Sequence, residues 1–200
     1  MEGDVNSNRD NFTNLLLPEV SIVIPAKNEP YLPSLISNIN KVLKNAEILV
    51  QTEEGLGNAV KKGFEKARGE KIVVMDADGQ HNPKYLPEIV KSLDEYEMVI
   101  ASRLKDERNF FRKIISKIAT WYIRKKFKLK IKDPLSGYFG VRKSLIKNLD
   151  LQTKRFKIGL EIILKAKPKI KEIPIVLEKR KMGKSKVGLR EGIELWKISF

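Results

Sequence analysis

Lys71-Ile72-Val73-Val74-Met75-Asp76-Ala77-Asp78-Gly79-Gln80 carries an apolar run, Ile72 to Met75, straight into two acids one residue apart. The run is short, rich in β-branched residues and closed by Gly79. That pattern predicts a strand buried on both faces in a parallel sheet. Ligands of open α/β sheets sit beyond the carboxyl ends of the strands, so Asp76 and Asp78 are placed at the ligand edge. Two hard carboxylates, with the amide oxygen of Gln80 close by, suit Mg²⁺ or Mn²⁺ shared with substrate phosphates. The same letters also suit a plain surface turn, since Asp and Gly are turn formers. The rest of the chain has to decide between the two.

The chain of 200 residues is long enough for one domain with a real core, and 42% hydrophobic residues exclude a disordered chain. It holds no cysteine, hence no disulfide, thiolate metal site or cysteine nucleophile. The lone histidine, His81, excludes a multi-histidine zinc site and reads as a loop residue rather than a ligand. Forty basic against 25 acidic residues give a net charge of +15, which calls for an anionic partner: nucleic acid, a phosphate-rich substrate or an anionic membrane surface. No apolar run approaches the roughly 20 residues that span a bilayer, and the N-terminus is polar and acidic, unlike a signal peptide. The expected address is cytoplasmic, with peripheral contact at the inner face of a membrane.

Outward from the opening strand, elements alternate. Residues 1–17 form a polar tail. Val20 to Ile24 is a strand stopped by Pro25, and Leu32, Leu35, Ile36, Ile39, Val42 and Leu43 follow helical spacing. Ala46 to Val50 is a strand, followed by a helix from Ala59 to Ala67 with Gly69 as its stop. This alternation predicts an open α/β sheet. Beyond the acids, Leu86, Ile89, Val90 and Leu93 mark a helix and Met98 to Ala101 a strand ending in Ser102-Arg103. From Asn109 to Lys132 the chain is basic and aromatic, with Phe111, Ile114, Ile115, Ile118 and Tyr122 at helical spacing. That stretch reads equally as a core helix with a basic outer face or as a membrane-interface helix. Asp133 to Gly137 is a turn, Tyr138 to Val141 a strand and Leu160 to Ala166 a helix. Ile173 to Leu177 is a strand whose Pro174 argues for an edge. Residues 191–200 are an amphipathic C-terminal segment.

Six motifs stand in one order: Ile24-Pro25-Ala26-Lys27-Asn28-Glu29, Gly55-Leu56-Gly57-Asn58-Ala59, Asp76-Ala77-Asp78-Gly79-Gln80-His81, Ser102-Arg103, Asp133-Pro134-Leu135-Ser136-Gly137, and the stretch from Arg180 to Lys186. This series resembles family 2 glycosyltransferases, and within them the dolichyl-phosphate mannose synthase type, over about residues 20–187. The resemblance implies a GT-A fold: one α/β domain over residues 18–190, with a mostly parallel open sheet flanked by helices. It implies inverting transfer of mannose or glucose from a nucleotide diphosphate sugar (GDP-mannose or UDP-glucose) to a polyprenyl phosphate. By resemblance Asp76, Asp78 and Gln80 hold Mg²⁺ or Mn²⁺ on the diphosphate. Pro25, Lys27, Glu29 and Ala77 line the nucleotide pocket with the two acids. Arg103, Arg112 and Ser116 grip the acceptor phosphate. Arg180 and Lys186 close over the donor phosphates and act with Asp78 in catalysis.

On charge alone, Arg180 and Lys186 among Lys179, Lys181 and Lys184 would read as a solvated face. The partners implied are the membrane surface and a membrane-anchoring subunit, and not nucleic acid, for which the chain has no reading motif. The competing reading is a membrane-surface binding module of the same fold without turnover. The chain departs from the family where Ala46 to Gln51 leads almost directly to Gly55. A helix-and-strand unit and its base-recognising acid are expected to be missing, leaving Glu53 or Glu54 to substitute.

Overall fold

In the computed structural model, β1 (Val20–Pro25), β2 (Glu47–Gln51), β3 (Lys71–Val74), β4 (Met98–Asp106), β5 (Phe139–Arg142) and β6 (Ile170–Leu177) form one sheet in the order β2-β1-β3-β5-β4-β6. The structure describes residues 18–107, 110–152 and 157–181, and at positions 111 and 112 only the backbone. The expected tail (1–17), the C-terminal segment (191–200) and Lys186 therefore lie outside the described residues, as does the side chain of Arg112.

β1 is parallel to β2 and β3, and β4 is parallel to β6, while β5 runs antiparallel to both of its neighbours. Every strand run expected from the sequence is present. β6 is an edge strand, where a missing N–H at Pro174 interrupts no ladder on its open side. β4 continues past Ala101 to Asp106, with a register shift between Arg103 and Lys105 that throws Leu104 outward, 79% exposed.

Side chains alternate across the strands, so the sheet builds a core on each face. Ile22 and Ile24 of β1 join Leu35 and Ile39 of α1 (Leu32–Val42) and Leu86 and Ile89 of α3 (Leu86–Ser92). Val23 points the other way, to Val60 and Phe64 of α2 (Leu56–Lys66) and Ile158 and Ile162 of α6 (Ile158–Ala166). The long helix α4 (Phe110–Lys126) is held by a small cluster of Ile123, Leu135 and Leu160. A short α5 (Lys143–Ile146), not expected from the sequence, follows β5.

Two local expectations are corrected. α2 starts at Leu56, three residues before Ala59, because the Gly55-Leu56-Gly57 turn is already its first turn. Gly69 is not the stop of this helix, which ends at Lys66 with Ala67 extended. A Cβ at Gly69 would lie 2.8 Å from Ser21 N, so glycine is required there by a close crossing of β1. Glu47 secures that crossing: its Oε2 accepts from Ser21 Oγ at 2.6 Å and Arg68 N at 2.9 Å.

Candidate active site

The acids lie in the loop after β3, at the carboxyl edge of the sheet. Gly79 has φ +78°, which carries the loop back over itself. The Asp76 N–H donates to His81 Nδ1 at 3.1 Å, and the His81 ring stacks on Tyr138 at 5.0 Å. His81 is thus a buried brace of the loop. Asp78 Oδ1 accepts from Gln80 N at 2.9 Å, and its Oδ2 accepts from Arg180 Nη2 at 2.8 Å. Burial, and then the neighbouring Asp76 charge, push the Asp78 carboxyl above the usual range against the pull of Gln80 N–H, His81 and Arg180. Burial also raises Asp76, opposed by Lys157 and Arg180.

The chain beyond β6 is stitched to this loop. Glu178 N donates to Gln80 O at 3.1 Å and Lys181 N to Asp78 O at 3.2 Å. The Gln80 amide donates from Nε2 to Glu178 O at 3.2 Å. Arg180 also approaches Glu29 Oε2 at 3.8 Å, and Lys181 lies over the Tyr31 ring. Residues far apart in the chain, Glu29, Asp78 and Arg180, therefore meet at one place.

A narrow cleft opens on the other side of Asp76, between the first turns of α2 and α6. Pro25, Gly57, Asp76, Gly137 and Lys157 are among its lining. A Cβ at Gly137 would come 3.2 Å from Asp76 Oδ2, so a larger residue at that wall would push the carboxylate by a few tenths of an ångström. Lys157 did not stand out in the sequence; the available signal was its place directly before the helical pattern Ile158, Leu160, Ile162 and Ile163. Of the other expected donor residues, Lys27 is exposed, and the Ala77 methyl is buried in the core, leaving its backbone for any ligand. The link from β2 to α2 is only residues 52–55, with no helix-and-strand unit between them, as the short spacing implied, and β2 is a sheet edge. There Glu53 Oε2 is buried and makes no hydrogen bond, while Glu54 is exposed.

The site fits a hard divalent cation. Asp76 keeps 39% of its side-chain surface and offers a carboxylate to the cleft, next to that of Asp78. Among the described residues no group of three or more acidic, histidine or cysteine side chains is arranged to hold a metal ion by itself. The chain thus supplies a pair of carboxylates, which matches Mg²⁺ or Mn²⁺ completed by phosphate oxygens and water.

A second cluster sits at β4. Arg103 donates to Asp133 from Nε and Nη2, both at 2.5 Å, and to Ser116 Oγ from Nη1 at 2.7 Å. Burial works against the Arg103 charge, but the Asp133 pair outweighs it and holds the guanidinium above its ordinary value. Arg103 and Ser116 are together as expected; their organiser Asp133 was visible in the sequence only as part of a turn. The groove beside them is basic, lined by Lys105, Lys113, Lys117, Arg124 and Lys132. On α4, Phe110, Ile114, Ile115, Ile118 and Trp121 are exposed. Tyr122, expected in that apolar stripe, instead packs towards Ile123 and Leu160.

The Glycosyl transferase family 2 profile matches residues 43–149. The dolichol-phosphate mannosyltransferase of Pyrococcus furiosus is 34% identical over 84% of this chain and 59% of its own length. That of Saccharomyces cerevisiae is 34% identical over 72% of the chain and 59% of its length. The undecaprenyl-phosphate mannosyltransferase of Micrococcus luteus is 30% identical over 68% and 62%. The chain thus spans about three-fifths of the length of these curated relatives. Among solved structures, glucosyl-3-phosphoglycerate synthase from Mycobacterium tuberculosis, in complex with Mn²⁺, UDP and glucosyl-3-phosphoglycerate, superposes with a TM-score of 0.64 at 15% identity, covering 92% of this chain and 79% of that one. At that identity the likeness shows a shared fold, the GT-A fold. Fold, motif order and profile agree, and the chain belongs to glycosyl transferase family 2.

Proposed function

We propose that this chain transfers a sugar, with inversion and with a divalent ion, from a nucleotide diphosphate sugar to a polyprenyl phosphate at a membrane surface, with mannose as the first sugar to test. The observation that carries the reading is the pairing of two sites on one sheet edge. Asp76 and Asp78 stand beside Arg180, and the Arg103–Ser116 cluster stands under a helix with an exposed apolar face. The named activities of the relatives from Pyrococcus furiosus, Saccharomyces cerevisiae and Micrococcus luteus support it.

Each part has a chemical use. Asp76 and Asp78, with Gln80 beside them, would hold Mg²⁺ or Mn²⁺ on the diphosphate. A bound ion of that kind supplies Lewis-acid stabilisation of the leaving group's charge. Arg180 adds a charged hydrogen-bond donor at the same place, and Lys186 follows it in the sequence. The nucleoside lies along Pro25, Lys27, Glu29 and the Ala77 backbone, with Glu53 placed to read the base. Arg103, Arg112 and Ser116 grip the acceptor phosphate. A phosphate monoester has a second pKa near 6, so it is already largely dianionic at neutral pH and needs no strong general base. The work left to the protein is to hold two anions together, and a chain of net charge +15 suits it.

No helix among the described residues is long and apolar enough to cross a membrane. The exposed face of α4 and the lysines beside it supply the contact with the bilayer, with or without a membrane-anchoring subunit. The exposed apolar face also favours the second reading, a membrane-binding module without turnover. The test is a panel of radiolabelled nucleotide sugars, GDP-mannose and UDP-glucose included, incubated with Mn²⁺ and membrane lipid extract. Counts in the organic phase from one donor are expected. Vesicle binding with no counts from any donor would leave the binding module.

A further inference from the structure

The proposed function accounts for the nucleoside, the diphosphate and the acceptor phosphate, but gives no residue to the sugar that moves. The cleft between the first turns of α2 and α6 supplies the place. It is lined by Asp76 but not by Glu29, Tyr31 or Arg180. A sugar attached to a diphosphate at Asp76 and Asp78 has this cleft next to it. Gly57, Gly137 and Gly159 lie in its lining among the side chains of Pro25, Leu56, Val60 and Phe139, the Phe139 ring standing against Gly159. The basic residue in that lining is Lys157, set at the N-cap of α6 and anchored by the buried Ile158 that follows it. Its charge already acts on Asp76 across the cleft.

We propose that Lys157 is the residue that binds the transferred sugar, its ammonium donating to sugar hydroxyls in the cleft beneath Asp76. The assignment rests on the proposed function. An ammonium has three donors and no acceptor, which suits a ring of hydroxyl groups. A lysine here is also compatible with an acceptor that needs no deprotonation, since no base has to occupy the position.

The experiment compares wild type, Lys157→Met and Lys157→Arg by calorimetry with Mn²⁺, using GDP against GDP-mannose and UDP against UDP-glucose. The pair scored is the one wild type binds. Lys157→Met is expected to keep its affinity for the nucleoside diphosphate within about twofold. It is expected to lose about tenfold or more for the nucleotide sugar, the size of one hydrogen bond from a charged donor. Lys157→Arg should recover part of that loss. Equal losses for both ligands would overturn the assignment in favour of a phosphate or metal-site role, and unchanged nucleotide-sugar affinity would overturn it outright. Wild-type protein that binds neither pair would overturn the proposed function, and this assignment with it.

Discussion

Arg180 donates from Nη2 to Asp78 Oδ2 at 2.8 Å, joining the chain beyond β6 to the loop after β3. One carboxylate oxygen of the proposed metal pair is therefore already held by a cation of the chain. A divalent ion must compete with that guanidinium for Asp78, and the two positive charges repel. Arg180→Ala should bind Mn²⁺ about tenfold more tightly in the absence of donor, a difference of about 1.4 kcal/mol. Turnover should fall in the same variant, because charge on the leaving diphosphate grows towards the transition state. Free Mn²⁺ followed by electron paramagnetic resonance gives the first number. Unchanged or weaker metal binding would show that the contact does not gate the ion.

Asp78→Asn tests the metal pair from the other side. The substitution keeps the shape and the hydrogen bond from Gln80 N, but removes a charged ligand. Mn²⁺-dependent affinity for the nucleotide should drop by at least tenfold, while affinity without metal should change little. A variant with wild-type Mn²⁺ dependence would take Asp78 out of the metal site.

The proposed acceptor cluster has a trap that the geometry exposes. Asp133 is 7% exposed on its side chain and paired with Arg103, so Arg103→Ala leaves a buried carboxylate without its ion-pair partner. Only the backbone N–H of residue 103, at 3.2 Å, would still donate to it; losing the ion pair costs up to about 3–5 kcal/mol of stability, and lost activity in that variant would say little about the acceptor. Ser116→Ala is the cleaner probe. Arg103 keeps its bidentate partner, so the melting temperature should stay within a few degrees, while the Michaelis constant for lipid phosphate rises several-fold. A Ser116→Ala enzyme with an unchanged acceptor constant would place the phosphate elsewhere.

Much of this architecture was legible because its strands are buried on both faces. Ile72 to Met75 reads as a continuous apolar run and Val20 to Ile24 as one broken only by Ser21, and an acid pair at the end of such a run has few places to be. The direction of β5 was not legible: Tyr138 to Val141 is apolar whichever way it runs, and only its pairing with Val73 and Val99 shows it antiparallel. The Arg103–Asp133 pair spans 30 residues, and no local pattern encodes such a contact. Lys157 was hidden for a related reason. A lysine before an apolar helix is ordinary in sequence, and its meaning comes from α6 starting at the same cleft as Asp76.

Glu47 gives a pH dependence with a definite sign. Burial raises its pKa, but hydrogen bonds from Arg68 N and Ser21 and the Arg68 charge win, so the folded value lies below the ordinary one. The stabilisation is complete above the unfolded pKa, near 4.3, and is lost as pH falls through the lower folded value. Glu47→Gln should therefore be destabilised by about 1.5–3 kcal/mol at pH 7, the range for hydrogen bonds to a charged group. The gap to wild type should close below the folded pKa. Urea unfolding at a series of pH values measures it, and a gap independent of pH would mean that the carboxylate charge is not what secures the crossing at Gly69.

The face of α4 carries the proposed contact with a membrane. A core helix would bury its apolar stripe, yet Phe110 is 68%, Ile115 56%, Ile118 53% and Trp121 61% exposed, while Ile123 on the opposite side is fully buried. Trp is a residue of the headgroup region, and Lys125 lies over the Trp121 ring at 5.2 Å. Lysines near an anionic surface contribute about 1 kcal/mol each. Changing Lys113, Lys117, Lys125 and Lys126 to Glu should therefore weaken binding to anionic vesicles by roughly 4 kcal/mol or more, on the order of a thousandfold. A second variant, Ile115→Ser with Ile118→Ser, removes apolar contact without changing charge and should weaken binding to neutral and anionic vesicles alike. Co-sedimentation of the whole chain with vesicles of each kind separates the two contributions. If wild type and both variants pelleted equally, or if none pelleted, α4 would not be the membrane contact, and its apolar face would have to be assigned to a protein partner.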